Sequence, residues 1–224
     1  MGLALSVRGL VVEGDRGREL LRLEELDIPA GSRIGIRGPS GAGKSTLLYA
    51  LAGLLRPKAG RVSWGGDAIS GLNATERARF RRERVGMIFQ DFLLFEELPA
   101  LGNAALAASY ADRSARARIA AGAAEMLAHL GLGDHKDRAV DTFSGGERQR
   151  VAVSRALAGD PPIILADEPT ASLDRAAADR LIEDLAGLAE ARGKTLIAVS
   201  HDNALHERMD RVLDMVDGRW TEEV

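Results

Sequence analysis

Cysteine is absent from the 224 residues. Disulfides and thiolate metal centres are therefore excluded. Aromatic residues are scarce, 4% of the chain against 46% apolar residues in all, so any core must be aliphatic. No apolar run approaches the roughly 18–20 residues that span a bilayer. The opening Met1-Gly2-Leu3-Ala4-Leu5-Ser6-Val7-Arg8 lacks a basic start followed by an apolar stretch, so no secretion signal is expected. Internal repeats and low-complexity linkers are missing. There is no excess of basic charge: Lys and Arg number 30, Asp and Glu 33, for a net charge of −3. That balance argues against a nucleic-acid coat protein, and no nucleic-acid partner is expected.

What is present is an alternation of short apolar strands with helical stretches, the signature of an α/β fold with a mostly parallel sheet. Strands are expected at Leu3–Val7, Leu20–Ile28, Arg33–Arg37, Arg61–Trp64, Val85–Phe89, Ile163–Ala166 and Thr195–Ser200. Helices are expected at Lys44–Leu55, Ala74–Arg82, Glu147–Ala158 and Arg175–Ala191. From Pro99 to Leu130 the chain is Ala-rich and mostly helical, with a break near Asp112. That block sits between two α/β stretches and reads as an inserted helical subdomain.

Gly38-Pro39-Ser40-Gly41-Ala42-Gly43-Lys44-Ser45-Thr46 matches G-x-x-x-x-G-K-[ST] between an expected strand and an expected helix. Glycines let consecutive N–H groups converge on phosphate oxygens, and the helix N-terminus adds partial positive charge. Lys44 supplies a cation for the β- and γ-phosphates. Ser45 offers a hydroxyl to Mg²⁺, a hard ion that prefers oxygen. The motif implies a nucleoside triphosphate without separating a kinase, a GTPase and a transport ATPase.

Asp167-Glu168 ends the apolar run Ile163-Ile164-Leu165-Ala166. In open α/β sheets ligands bind beyond the carboxyl ends of strands. There Asp167 would reach Mg²⁺, and Glu168 would polarise a water aimed at the γ-phosphate. His201 follows Thr195–Ser200 and occupies the same kind of position. His129, His135 and His206 read as structural. Ser144-Gly145-Gly146 opens another helix and forms a second anion site. Two phosphate-binding helix starts in one chain suggest a symmetric dimer, each subunit's second site closing on its partner's nucleotide.

Taken in order, these segments resemble the ATP-binding cassette (ABC) ATPases over nearly the whole chain. Gly38–Thr46 resembles Walker A, Gln90 the Q-loop glutamine, and Ser144-Gly145-Gly146-Glu147 the signature. Asp167-Glu168 resembles Walker B with the catalytic glutamate, Ala171-Ser172-Leu173-Asp174 the D-loop, and His201 the switch histidine. The resemblance implies a P-loop NTPase core with an N-terminal antiparallel β subdomain, and a helical subdomain at about 91–158 within a single domain spanning 1–224. It implies catalytic roles for Glu168, His201 and Gln90, and Mg²⁺ held by Ser45, Gln90 and Asp167. ATP would contact Gly38–Thr46 and, across a head-to-tail dimer, Ser144–Glu147 and Asp174. A separate transmembrane permease and the cytoplasmic face of the cell membrane are implied as partner and place.

The chain is most similar to short cassettes of the lipoprotein-release, macrolide-efflux and cell-division type, on Val85–Phe92 and Ser144–Arg150. Thr142–Glu147 and Pro169–Asp174 also resemble phosphonate-system cassettes. An ATPase transmitter of a non-transport membrane complex is the alternative; a soluble cassette acting on DNA or ribosomes would carry a coiled-coil insertion or a second cassette. Phe143 stands where Leu is usual in the signature, and Glu147 where Gln is often found. No aromatic residue precedes Tyr49, although the family stacks adenine on one shortly after the first strand. Arg16 or Arg18 is expected over the base instead, with weak discrimination against GTP. Arg77–Arg84 reads as a solvated basic helix face. The apolar cluster Phe92-Leu93-Leu94-Phe95, just after Gln90, reads as a groove for the permease.

Overall fold

A computed structural model describes residues 1–14 and 17–220. Ten strands and seven α-helices build two sheets and a helical layer among the described residues. The first sheet is antiparallel, ordered β2-β1-β4-β5, from β1 (Leu5–Glu13), β2 (Glu19–Ile28), β4 (Ala59–Trp64) and β5 (Asp67–Ala68). β1 runs well past the expected end at Val7, because a bulge between Arg8 and Val11 absorbs Gly9 without ending the pairing with β4.

The second sheet is ordered β10-β9-β3-β8-β7-β6. Its parallel strands are β3 (Arg33–Arg37), β6 (Val85–Ile88), β7 (Ile163–Asp167), β8 (Thr195–Val199) and β9 (Arg211–Val216). β10 (Arg219–Trp220) returns antiparallel on β9. Every residue of β7 and of β8 is buried, as expected for a parallel strand covered on both faces. The fold class is α/β with a mostly parallel sheet and an antiparallel N-terminal sheet, as the sequence implied.

α1 (Lys44–Leu51) follows β3 and buries Leu47, Leu48 and Leu51 between the two sheets. It ends at Leu51, four residues before the sequence-based boundary at Leu55. The indole Nε1–H of buried Trp64 donates to Leu51 O at 2.9 Å and satisfies one of the helix's orphan carbonyls. α2 (Ala74–Arg84) is closed by an Asn73–Glu76 capping box and buries none of its residues. Three cations of its basic run are tied to backbone: Arg77 donates to Leu72 O, Arg81 to Gly53 O and Arg82 to Tyr110 O.

α3 (Ala100–Ala104), α4 (Arg113–His129) and α5 (Gly145–Leu157) share a core of their own, built on Ala100, Ala104, Ile119, Ala123, Leu127, Phe143 and Val151. The expected break near Asp112 is the start of α4: its carboxylate accepts from Ala115 N at 2.8 Å. α6 (Arg175–Ala191) packs Leu181, Ile182 and Leu185 beneath β7 and β8, and α7 (Asn203–His206) is a single turn. No described helix is long and apolar enough to cross a membrane.

Candidate functional site

α1 begins directly from Gly43, with no side-chain cap and no acid in its first turn. The longer helices α2, α4, α5 and α6 each carry a side-chain cap. The start of α1 therefore keeps its N–H groups and its positive dipole end for an external anion. Lys44, only 6% exposed, donates through Nζ to Gly38 O at 2.7 Å and Pro39 O at 2.9 Å. Its charge is held against the loop on neutral acceptors.

The carboxyl ends of β7 and β8 bring the acids alongside. Ser45 Oγ donates to Asp167 Oδ1 at 3.1 Å. Asp167 is 1% exposed, and its Oδ2 is buried without a partner. Burial pushes its carboxyl above the ordinary range; the hydrogen bond from Ser45, the nearby Tyr49 side chain and the charge of Lys44 oppose that shift. Glu168 adopts a left-handed backbone (φ 48°), a conformation costing a non-glycine residue about 1–2 kcal/mol. The bond from Glu168 N to Val199 O at 2.9 Å holds it there. Its carboxylate lies on the next strand's loop: Oε2 accepts from His201 N at 3.3 Å, and Oε1 is 3.4 Å from His201 Nε2.

An open cleft of about 880 Å³ is lined by Ser40, Gly41, Lys44, Ser45, Gln90, Asp167, Glu168 and His201, together with Thr170, Ala171, Arg175 and Asp202. Gln90 follows β6, which ends at Ile88. Phe89 lies outside the strand, its ring 6.2 Å from that of Tyr49.

Ser144, Gly145, Gly146, Glu147 and Asp174 do not line this cleft. Ser144 and Glu147 form a capping box on α5: Ser144 N donates to Glu147 Oε2 at 2.8 Å, and Glu147 N to Ser144 Oγ at 3.3 Å. Asp174 caps α6 through Ala177 N at 2.9 Å. Ser144, Gly145 and Asp174 are exposed, and Gly145 and Gly146 sit against Ser172 and Leu173 of the segment before α6.

Gly38 to Thr46 runs from the end of β3 into the first turn of α1, Asp167-Glu168 lies at the end of β7, and Ser144-Gly145-Gly146 at the start of α5. A model of the family described as ABC transporter matches residues 21–171. The chain belongs to the ABC transporter family. It is an ATPase cassette of that family. It is 41% identical over 213 residues to the uncharacterised ABC transporter ATP-binding protein YbbA of Escherichia coli K12, covering 95% of this chain and 93% of that one. It is 40% identical over 210 residues to the lipoprotein-releasing system ATP-binding protein LolD of Syntrophotalea carbinolica, covering 94% and 92%. Among solved structures, the dimeric post-hydrolysis state of the cassette MJ0796 bound to ADP and Pi superimposes with a TM-score of 0.85 at 31% identity, over 98% of this chain and 97% of that one.

Two residues of the cassette's cleft escaped the motif reading. Arg175 Nη1 donates to both Asp202 carboxylate oxygens at 3.1 Å, and Arg175 also pairs with Asp179. Asp202 in turn caps α7 through Ala204 N at 3.0 Å. This bridge ties the start of α6 to the loop carrying His201. A signal was available: a cation in the first turn of a helix opposes the dipole and needs a compensating acid. Of the two residues expected over the base, Arg16 lies outside the described residues. Arg18 is exposed and its O accepts from Gly14 N–H at 2.8 Å, while Glu13 pairs with Lys58.

Proposed function

We propose that the chain is the ATP-hydrolysing subunit of an ABC transporter, driving a separate membrane-embedded permease from its cytoplasmic face. The observation that carries this reading is the split arrangement of the motifs. The phosphate loop, Gln90, Asp167, Glu168 and His201 line one cleft, while Ser144, Gly145 and Asp174 face solvent outside it. Two copies placed head to tail would set the Ser144 helix start of each on the γ-phosphate of the other. The dimeric relative bound to ADP and Pi supports that pairing.

In the loaded cleft Lys44 exchanges its loop carbonyls for β- and γ-phosphate oxygens, and the uncapped start of α1 receives the phosphates. The buried, partnerless Asp167 Oδ2 beside the Ser45 hydroxyl is a hard-oxygen pair that suits Mg²⁺, and Gln90 lines the same cleft. When bound, that ion would neutralise charge on the phosphates. Glu168 takes a proton from the attacking water as its oxygen bonds to the γ-phosphorus and the bond to the bridging oxygen breaks. ADP and phosphate are the products. His201, already against Glu168, holds the carboxylate and the γ-phosphate in register, and Gln90 orients water.

The helices between about 91 and 158 carry the motion from Gln90 to the permease. The exposed Leu93 and Phe95 beside them form the docking face.

Removing the base tests the chemistry. Glu168→Gln should slow hydrolysis by about 10²–10⁴-fold while ATP still binds. Hydrolysis at the parent rate would remove Glu168 from the reaction.

A further inference from the structure

The phosphate loop does not stand alone: the last hairpin of the described chain is packed into it. β9 and β10 are joined by a turn at Asp217 and Gly218, both left-handed (φ 47° and 74°). Gly218 N–H donates to Ala42 O at 2.9 Å, and Gly218 O accepts from Arg22 N at 2.8 Å. One residue thus bridges the loop and β2. A Cβ on Gly218 would lie 2.6 Å from Leu20 O and 3.0 Å from Leu21 Cα, backbone atoms that cannot swing aside.

The loop's own glycines answer this packing. A Cβ on Gly38 would lie 2.0 Å from Met215 O of β9, and one on Gly43 would lie 2.9 Å from Leu20 O and 3.4 Å from the Gly218 Cα. A Cβ on Gly41 would meet nothing within 4 Å. Two of the three glycines therefore admit protein backbone, at either end of the loop. Met215 is fully buried, and Trp220 packs against the core shared by the two sheets.

We infer that the hairpin Arg211–Trp220 is the seat that fixes the phosphate loop, and that Gly218 is a positioning residue for nucleotide binding. A glycine-rich segment left to itself samples many conformations. Convergent N–H groups bind phosphate well only when their geometry is set beforehand. The hairpin sets it from outside, without touching the nucleotide. This rests on the reading of Gly38–Thr46 as the nucleotide site.

The test uses the full chain, a fluorescent ATP analogue and amide hydrogen exchange. Gly218→Ala places a side chain at a left-handed φ against Leu20, and should weaken ATP binding by about tenfold or more. Should that variant not fold, Trp220→Ala loosens the same hairpin more gently. It should weaken ATP binding several-fold and speed exchange at the loop amides 41–45, with exchange in β7 unchanged. Either folded variant binding ATP as the parent does would overturn the inference. So would Trp220→Ala exchange rising equally in β7 and the loop, since that marks general destabilisation. If the parent itself fails to bind the analogue, it is the nucleotide-site reading that falls.

Discussion

At the scale of single residues, the cleft combines legible and illegible features. Lys44, Ser45, Asp167 and Glu168 lie in motifs whose meaning is local, so their gathering could be anticipated from strand–loop–helix order alone. Arg175 was only half legible: a cation opening a helix signals the need for an acid, but its partner Asp202 is brought within 3.1 Å only by the docking of α6 beside β8. Arg175 is exposed, so the pair is worth little for stability, but it ties α6 to the loop of His201. Arg175→Ala should lower kcat a few-fold with KM for ATP unchanged, and raised salt should do the same to the parent while leaving the variant unaffected. Equal low-salt rates for parent and variant would reduce the bridge to a surface ion pair. The base end carries a second residue-scale expectation. Aromatic stacking on a base is worth about 1–3 kcal/mol in nucleic-acid sites, and the turn beside β2 offers Arg18 and the Glu13–Lys58 pair but no ring. GTP should therefore compete well with ATP, and a strong ATP preference in a competition assay would contradict this.

Among the elements, β3 (Arg33–Arg37) and α6 (Arg175–Ala191) fall at the bounds expected from the sequence. β1 and α1 do not, for reasons a pattern cannot carry: a bulge that keeps β1 paired beyond Gly9, and a tryptophan from β4 that closes α1 early. The loop after Gln90 is likewise a product of tertiary contacts. Fully buried Asn103 accepts from Phe95 N and donates to Phe95 O and Leu98 O, and Arg155 donates to Phe92 O and Leu93 O. Burial holds the Arg155 guanidinium below its usual range. These bonds fix the loop so that Leu93 and Phe95 point outward, 58% and 51% exposed. Phe92→Ser with Phe95→Ser should leave hydrolysis by the isolated subunit intact and lower its stimulation by the permease. Loss of basal hydrolysis would mean that the loop serves the cleft instead. The cap of α5 has a pH signature. The Ser144 N–H holds the Glu147 carboxyl below its usual range, so its contribution is complete above the ordinary glutamate pKa. It is lost as pH falls through the depressed folded value. Glu147→Gln should flatten the acid limb of the stability profile, and an unchanged limb would remove Glu147 from it.

For the whole molecule, the α/β class was readable from the alternation of strands and helices. Its division into an antiparallel sheet and a parallel-dominated one came from the family resemblance, because the pattern alone could not show the long-range pairing of β3 with β8 and β9. What no single chain displays is a finished reaction centre, because Ser144 and Asp174 sit on the surface away from the cleft they are proposed to complete. The mass of the Glu168→Gln variant by light scattering, across a range of concentrations, tests that proposal most directly. With ATP it should be twice the 23.9 kDa of one chain, and with ADP it should return to that of one chain. A single-chain mass with ATP at every concentration would contradict the shared centre.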